Sequence, residues 1–237
     1  MSTSSDAIVV DYGAVARLAA QQDRLPSVAL LYPILGKGAP ADSVLPHSLY
    51  YLYACLTDLG FAVTLQQWRV QDGARPLPAA DVVYVHPMFA TLAPACEALT
   101  ALRAARPATT ILLGNSDQHQ HEMCLGGPAA EEAAQALLDR YPAIDGVLLG
   151  RNHEYSLARL LLNRAVGQPL DREVGQALLR RGDGGVALRR VRRVFALEDL
   201  PYLAFPGQPP AVVRIRSSVG CRGVCSYCIE SRVNASS

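Results

Sequence analysis

The chain has 237 residues, of which 50% are hydrophobic and 18% are charged, and its formal net charge is +1. This composition supplies a sizeable core and excludes the strongly basic balance that is typical of nucleic-acid-binding proteins. No stretch reaches about 18 uncharged apolar residues, and residues 1–7 lack the basic region of a signal peptide. We therefore expect a cytoplasmic protein with neither nucleic acid nor membrane among its partners.

Residues 1–25 read as an N-terminal extension with one helical stretch, Val15 to Gln22. Apolar strands then alternate with segments of helical periodicity. The predicted strands are 27–32, 61–65, 81–85, 109–113 and 146–149. The predicted helices are 45–59, 92–105, 129–141 and 153–166, the first of them ending at Gly60, a typical C-terminal cap.

Strands that alternate with helices predict an α/β fold, a doubly wound (flavodoxin-like or Rossmann-like) parallel sheet of five strands in the order 2-1-3-4-5. We assign residues 26–170 to this domain. Ligands of such sheets bind outside the carboxyl ends of the strands, near the switch point of the strand order. The candidate ligand-facing loops are therefore 32–37, 86–89, 114–119 and 150–154.

Residues 171–210 are predicted to form a β-hairpin and a proline-rich linker. The hairpin spans Leu178 to Val194 around Gly182-Asp183-Gly184-Gly185, and Asp-Gly is a strong hairpin signal. Its arms carry six arginines: Arg180, Arg181, Arg189, Arg190, Arg192 and Arg193. These arginines could bind phosphate, but a solvated two-stranded arm is the favoured interpretation, because runs of charge usually mark exposed faces. The linker runs from Glu198 to Pro210.

The most specific motif is Cys-x3-Cys-x2-Cys, formed by Cys221, Cys225 and Cys228 after an apolar strand at 211–215. Three thiolates on one loop can ligate three irons of a 4Fe-4S cluster and leave the fourth iron open. The alternative is a zinc site, but zinc usually takes four ligands, often from Cys-x2-Cys pairs, and no second pair is present. The other cysteines are widely separated, which disfavours a disulfide scaffold.

This motif resembles the cluster loop of radical S-adenosylmethionine (SAM) enzymes. The resemblance implies that the three cysteines hold a 4Fe-4S cluster, that the open iron chelates SAM, and that Tyr227 lies near the adenine. Residues 211–237 would then begin the radical SAM domain, a partial (β/α) barrel that this chain leaves incomplete.

The order of doubly wound domain, hairpin, Leu-Glu-Asp-Leu-Pro linker and cluster loop is similar to the N-terminal part of cobalamin-binding radical SAM proteins. That resemblance implies a cobalamin site at the ends of the fourth and fifth predicted strands. Its residues would be Gly114, Asn115, Ser116, Gly150 and Glu154, where small residues let the backbone approach the ligand.

Asp117-Gln118-His119 looks like the start of the Asp-x-His-x-x-Gly motif that supplies an axial histidine in some cobalamin enzymes. That motif follows the first strand, however, and Glu122 stands where it has glycine, so a polar loop is the favoured interpretation. A metal site made of His119, His121 and Glu122 has too few evident ligands to be preferred.

The leading hypothesis is a cobalamin-dependent radical SAM protein that cleaves SAM to a 5′-deoxyadenosyl radical and methylates an unreactive carbon. Only nine residues follow Cys228, so we expect a fragment or a split protein whose partner chain carries the rest of the barrel. The substrate, a small molecule or a peptide, is not identified. The alternatives are a non-catalytic module that binds cobalamin or another small ligand, and a zinc-binding interaction protein.

Overall fold

The computed structural model of the chain describes residues 7–35, 45–70, 77–114, 128–150 and 153–207. The helices are α1 (Tyr12–Ala20), α2 (His47–Asp58), α3 (Phe89–Ala105), α4 (Pro128–Arg140) and α5 (His153–Ala165). The strands are β1 (Ile8–Val10), β2 (Val28–Ile34), β3 (Val63–Arg69), β4 (Val82–Val85), β5 (Thr110–Leu113), β6 (Gly146–Leu148), β7 (Ala177–Arg180), β8 (Val186–Arg189) and β9 (Arg193–Phe195). A 3-10 turn follows at Leu197–Asp199.

The main sheet has the order β3-β2-β4-β5-β6-β7-β8 in the described part of the chain. Strands β3, β2, β4, β5 and β6 are parallel to one another. Numbered among themselves, these five strands have the predicted order 2-1-3-4-5. The order reverses between β2 and β4, so the switch point lies between the carboxyl ends of those two strands.

The five-strand prediction is incomplete, because β7 and β8 continue the same sheet in the antiparallel direction. The hairpin turn at Gly182–Gly185 is where the sequence places it: the Arg181 amide donates to the Gly185 carbonyl at 2.8 Å, and Gly184 has a φ of +84°. The hairpin is not a solvated arm, since Ala177, Leu178 and Leu179 of β7 are buried. A central position in the sheet requires those apolar side chains to be covered on both faces.

Alternate side chains of each strand point to opposite faces, and each face has its own core. Helices α1, α2 and α5 cover one face, where they pack on Leu30, Tyr84 and Leu148. Helices α3 and α4 cover the other face, against Leu31 and Ile111 among others. The continuous apolar strands are thus explained by burial on both sides. Cys55 and Cys96 are buried in these two cores, as free cysteines in apolar helices are expected to be.

Helix α2 ends in a Schellman motif at Gly60, which confirms the predicted cap. The Gly60 amide donates to the Thr57 carbonyl and the Phe61 amide donates to the Leu56 carbonyl, both at 3.0 Å. Gly60 has a φ of +88°, a conformation that residues with a Cβ adopt at a cost. The motif turns the chain directly from α2 into β3.

Residues 7–20 are integrated into the described domain. Strand β1 pairs in parallel with β9, and Val15 and Ala19 of α1 are buried in the core beside α2 and α5. The sequence predicts only the helix of this region, whose observed bounds are Tyr12–Ala20.

The hairpin arginines are largely engaged within the protein. Arg180 donates through Nε to the Ile144 carbonyl at 2.9 Å, and Arg189 pairs with Asp171 at 2.6 Å. Arg190 forms a bidentate pair with Glu131, both distances being 2.8 Å. These contacts fasten the hairpin to α4 and to the segment after α5, and they argue against a phosphate-binding patch.

None of the helices in the described ranges is long and apolar enough to cross a bilayer.

Candidate functional site

The candidate site is the carboxyl edge of the five parallel strands. Strand β2 continues three residues past the last residue pair that it forms with β4, so that Tyr32 to Ile34 pair only with β3. The neighbouring strands β4, β5 and β6 lead into His86, Gly114 and Leu149. Helices α2 and α5 begin at the same edge, because each follows a parallel strand.

Gly114 lies directly after β5, and its amide donates to the Val85 carbonyl at 2.8 Å. A Cβ built on Gly114 would lie 1.8 Å from the hydroxyl oxygen of Tyr84. Only glycine therefore fits beside this tyrosine. The structure gives Gly114 a packing role, and its predicted contact with a ligand stays a prediction.

Gly150, at the end of β6, adopts a φ of +72°. This left-handed conformation favours glycine. A Cβ at Gly150 would also lie 2.5 Å from Oε1 of Gln176, so the Gln176 side chain would have to move. The Gly150 carbonyl faces the helix that follows and lies 3.2 Å from Nε2 of His153. The backbone at Gly150 thereby holds the first side chain of α5.

Four polar side chains from three elements meet behind this edge. The Tyr84 hydroxyl of β4 lies 2.9 Å from Nδ1 of His153 and 3.4 Å from Nδ1 of His86. Nε2 of His86 in turn lies 3.5 Å from the hydroxyl of Ser48, on the first turn of α2. Tyr84, His86 and His153 are buried, whereas Ser48 is half-buried. The chain of contacts therefore runs from the interior toward the mouth of the site.

Burial lowers the pKa of His153, and the neighbouring charge of Glu154 and hydrogen bonds to backbone carbonyls oppose that shift only in part. His153 is therefore neutral near pH 7. A neutral imidazole has one donor nitrogen and one acceptor nitrogen. Nε2 of His153 faces the Gly150 carbonyl, which can only accept, and Nδ1 faces the Tyr84 hydroxyl, which can donate or accept.

Glu154 is buried, with 3% of its surface exposed, at the first turn of α5. Burial, and after it the charge of Glu154, raises the pKa of the Cys55 thiol well above its usual value. Cys55 is thus a protonated thiol near pH 7 and no nucleophile. An acidic residue at a helix N-terminus is electrostatically favourable. The predicted contact of Glu154 with a ligand stays a prediction.

The remaining predicted site residues lie outside the described ranges. They are Asn115 and Ser116 of the first cobalamin loop, the cluster cysteines Cys221, Cys225 and Cys228, and Tyr227; the loop residues Asp117, His119, His121 and Glu122 lie there too. Within the described ranges, no group of three or more His, Cys, Asp or Glu side chains is placed to hold a metal ion.

The sequence reasoning missed Ser48 and Tyr84 and gave His86 and His153 no role beyond their loops. Tyr84 is hidden in the apolar run of β4, and Ser48 is one hydroxyl among several on α2. The position of Tyr84 within its strand could have indicated its role. Tyr84 is the hydroxyl-bearing residue of its strand, and it lies one position from the strand's carboxyl end, where it contacts Gly114 and His153.

Solved structures of the cobalamin-dependent S-adenosylmethionine radical enzyme OxsB have a similar fold. The apo form matches with a TM-score of 0.51 at 19% identity. The form with aqua-cobalamin and S-adenosylmethionine bound matches with a TM-score of 0.53 at 17% identity, and the form with aqua-cobalamin bound with 0.52 at 17%. Each match covers 76% of this chain and 24% of the OxsB chain.

At this identity the likeness establishes a shared fold for the matched part, which spans about a quarter of the OxsB chain. No family model matches the chain, and no curated protein matches it in sequence.

Proposed function

We propose that this chain is the cobalamin-binding part of a cobalamin-dependent radical SAM enzyme, joined to the loop that binds its 4Fe-4S cluster. The proposal is supported by the occurrence of two features in one chain, a fold and a cysteine motif. The described fold is shared with OxsB over most of this chain, and a Cys-x3-Cys-x2-Cys motif follows that fold in the sequence. Either observation alone is compatible with other functions, since folds of this kind bind many ligands.

The carboxyl edge of the sheet suits cobalamin. A corrin ring is broad and flat, and its rim carries neutral amides. The edge offers hydrogen-bonding groups at Ser48 and His86, close to partly buried Met88. At the switch point, the end of β2 extends beyond its last pair with β4. Neutral polar groups among apolar ones are the usual lining of a cofactor site. Gly114, Asn115, Ser116, Gly150 and Glu154 are the proposed cobalamin-binding residues.

Cys221, Cys225 and Cys228 are the proposed ligands of the cluster, and Tyr227 is proposed to lie beside the adenine of SAM. A 4Fe-4S cluster held by these cysteines would supply the electron for cleavage of SAM to a 5′-deoxyadenosyl radical. Cobalamin held by the proposed residues would supply the methyl group for an unreactive carbon. The residues that select the substrate are proposed to lie in the radical SAM barrel.

The first test of this function is an anaerobic titration of the purified protein with hydroxocobalamin, read from its visible spectrum. We expect saturable binding at one site per chain. Failure to bind would remove the cobalamin part of the proposal and leave the cysteine motif to be explained separately.

The second test is anaerobic reconstitution with iron and sulfide. We expect about four irons per chain and the Mössbauer signature of a 4Fe-4S cluster, both lost in Cys225→Ala and retained in the control Cys124→Ala, which lies outside the motif. Binding of one zinc ion per chain, with no uptake of iron, would instead favour the alternative hypothesis of a zinc-binding interaction protein.

A further inference from the structure

The backbone groups of β2 alternate between its two neighbouring strands. In a parallel sheet, the N–H and C=O of one residue point to one side, and those of the next residue point to the other side. The Val28 amide donates toward β3 at 2.8 Å, whereas the carbonyls of Ser27 and Leu31 accept from amides of β4 at 3.0 and 2.9 Å. The odd-numbered residues of β2 therefore direct their backbone groups toward β4.

By this alternation, the nitrogen and the carbonyl of Pro33 point to the β4 side of the strand. The pairing of β2 with β4 ends at Leu31 and Val85, although its pairing with β3 continues to Ile34. Proline has no N–H and is normally excluded from the interior of a sheet. It is tolerated at position 33 because the side that its nitrogen faces has no paired strand in the described part of the chain.

Strand β4 turns away from β2 at this point. A ladder that continued by two more residues would bring the Met88 amide to the Pro33 carbonyl. The Met88 amide donates instead to Oγ1 of Thr91 at 2.9 Å, and the Thr91 amide donates to the Met88 carbonyl at 3.0 Å. These contacts belong to the first turn of α3. Among the described residues, Pro33 is thus left with no ladder partner for its carbonyl, although it is buried.

We propose that the Pro33 carbonyl is a binding group of the candidate site and accepts an N–H group of the ligand at the switch point. This inference rests on the proposed function, in which the ligand is cobalamin and its rim carries amide N–H donors. Buried backbone carbonyls are nearly always hydrogen-bonded. The position of this carbonyl, where β2 and β4 part at the carboxyl edge, makes the ligand its partner.

Proline at this position also determines which ligand groups are accepted. Every other residue would carry an N–H that points to the same side as the carbonyl. Such a donor would oppose the N–H groups of the ligand, or it would let β4 continue its ladder and narrow the gap between the two strands. Pro33 therefore presents only an acceptor, which favours ligands that bring hydrogen-bond donors.

The carbonyl can be observed directly in the unaltered chain by NMR. Pro33–Ile34 is the sole Pro-Ile step in the sequence, so protein with ¹³C in its proline carbonyls and ¹⁵N in its isoleucines gives one correlated signal. On titration with hydroxocobalamin we expect the carbonyl resonance to move downfield, and by more than the Ile34 amide proton, because ring currents move both nuclei alike. The signal of Pro169–Leu170, obtained with ¹⁵N-leucine, is the control and should stay in place.

Pro33→Val tests the same contact by affinity. We expect the affinity for hydroxocobalamin to fall by about fivefold to fiftyfold, the effect of one mismatched buried hydrogen-bonding group. The melting temperature should stay near that of the wild type, since valine suits a buried strand. Pro26→Val is the matched control: Pro26 is also buried, but it precedes the opposite end of β2, and this variant should bind like the wild type.

The outcomes separate the contact from the proposed function. Hydroxocobalamin binding with an unmoved Pro33 carbonyl resonance, or equal affinity of Pro33→Val and wild type, would overturn the inference and leave the proposed function standing. A wild type that binds no hydroxocobalamin would overturn both. If Pro33→Val does not fold, the carbonyl resonance of the wild type decides the question by itself.

Discussion

Tyr84 places a hydroxyl group in the middle of an otherwise apolar strand. Neighbouring residues supply hydrogen-bond partners for this hydroxyl and space for the ring. The side chain is fully buried, and a buried hydroxyl without a partner is costly, on the order of 1–3 kcal/mol. His153 and His86 satisfy it, and Gly114 makes room for its ring. The glycine at the end of β5 is thus tied to a tyrosine on the neighbouring strand.

The substitution Gly114→Ala tests this packing. The added methyl group overlaps the Tyr84 ring and hydroxyl, and overpacking of a tight core typically costs about 1–3 kcal/mol. We therefore expect the urea midpoint and the melting temperature to fall. Gly182→Ala is the control, because nothing lies within 4 Å of a Cβ at Gly182, and it should unfold like the wild type. Equal stability of Gly114→Ala and wild type would contradict the observed contact.

At this scale the sequence predicts positions better than roles. It places Gly114, Gly150 and Glu154 at the carboxyl edge, where the structure has them. It does not reveal that Gly114 faces a side chain of the adjacent strand, because that contact depends on the register between β4 and β5. Side-chain partners from distant elements, such as His153 for Tyr84, follow only from the assembled fold.

The hairpin β7–β8 is an extension of the sheet that is fastened by ion pairs. Asp171, which is 7% exposed, accepts from Arg189 at 2.6 Å and lies 3.6 Å from Nε of Arg181. Arg189 also donates to the Asp171 carbonyl at 2.9 Å. One carboxylate thereby links the segment after α5 to both arms of the hairpin.

We expect Asp171→Asn to destabilise the protein by about 1–2 kcal/mol, since a nearly buried carboxylate loses its charge beside two guanidinium groups. Asp11→Asn is the control: Asp11 also pairs with an arginine, Arg17, but both side chains are more than 60% exposed, and such pairs contribute less than about 1 kcal/mol. Urea denaturation of both variants measures the difference. Similar losses would show that Asp171 acts as an ordinary surface charge.

At the scale of elements, periodicity predicted the alternation of strands and helices and the order of the parallel strands, because burial on both faces leaves a strong apolar signal. It did not predict that the hairpin joins the sheet. The arginines of its arms suggest exposure, yet their guanidinium groups reach carbonyls and carboxylates at the rim while β7 itself is apolar. Nor did it predict β1, whose Ile8 and Val9 are exposed and carry no clear alternation.

On the scale of the whole molecule, the parallel pair β1–β9 joins the start of the described chain to the segment that leads toward the linker. Phe195 of β9 is central to this junction. Its ring lies 4.9 Å from that of Tyr12 and 5.4 Å from that of Tyr155, both edge-to-face. The Tyr12 hydroxyl donates to Asp58 of α2 at 2.7 Å, so three helices meet around one strand.

This junction fastens residues 7–20 to the rest of the described domain, and Phe195→Ala tests how much it contributes to stability. Phe195 is 7% exposed, and removal of a buried aromatic side chain typically costs about 3–5 kcal/mol. We expect a loss of that order in urea denaturation, together with faster amide exchange at Ile8 to Val10, since β1 pairs only with β9 in the described chain. Tyr202→Ala, at a side chain that is 99% exposed, should change neither quantity. If Phe195→Ala lowered stability without faster exchange in β1, the N-terminal strand would be held by other contacts, and its pairing with β9 would be incidental to the fold.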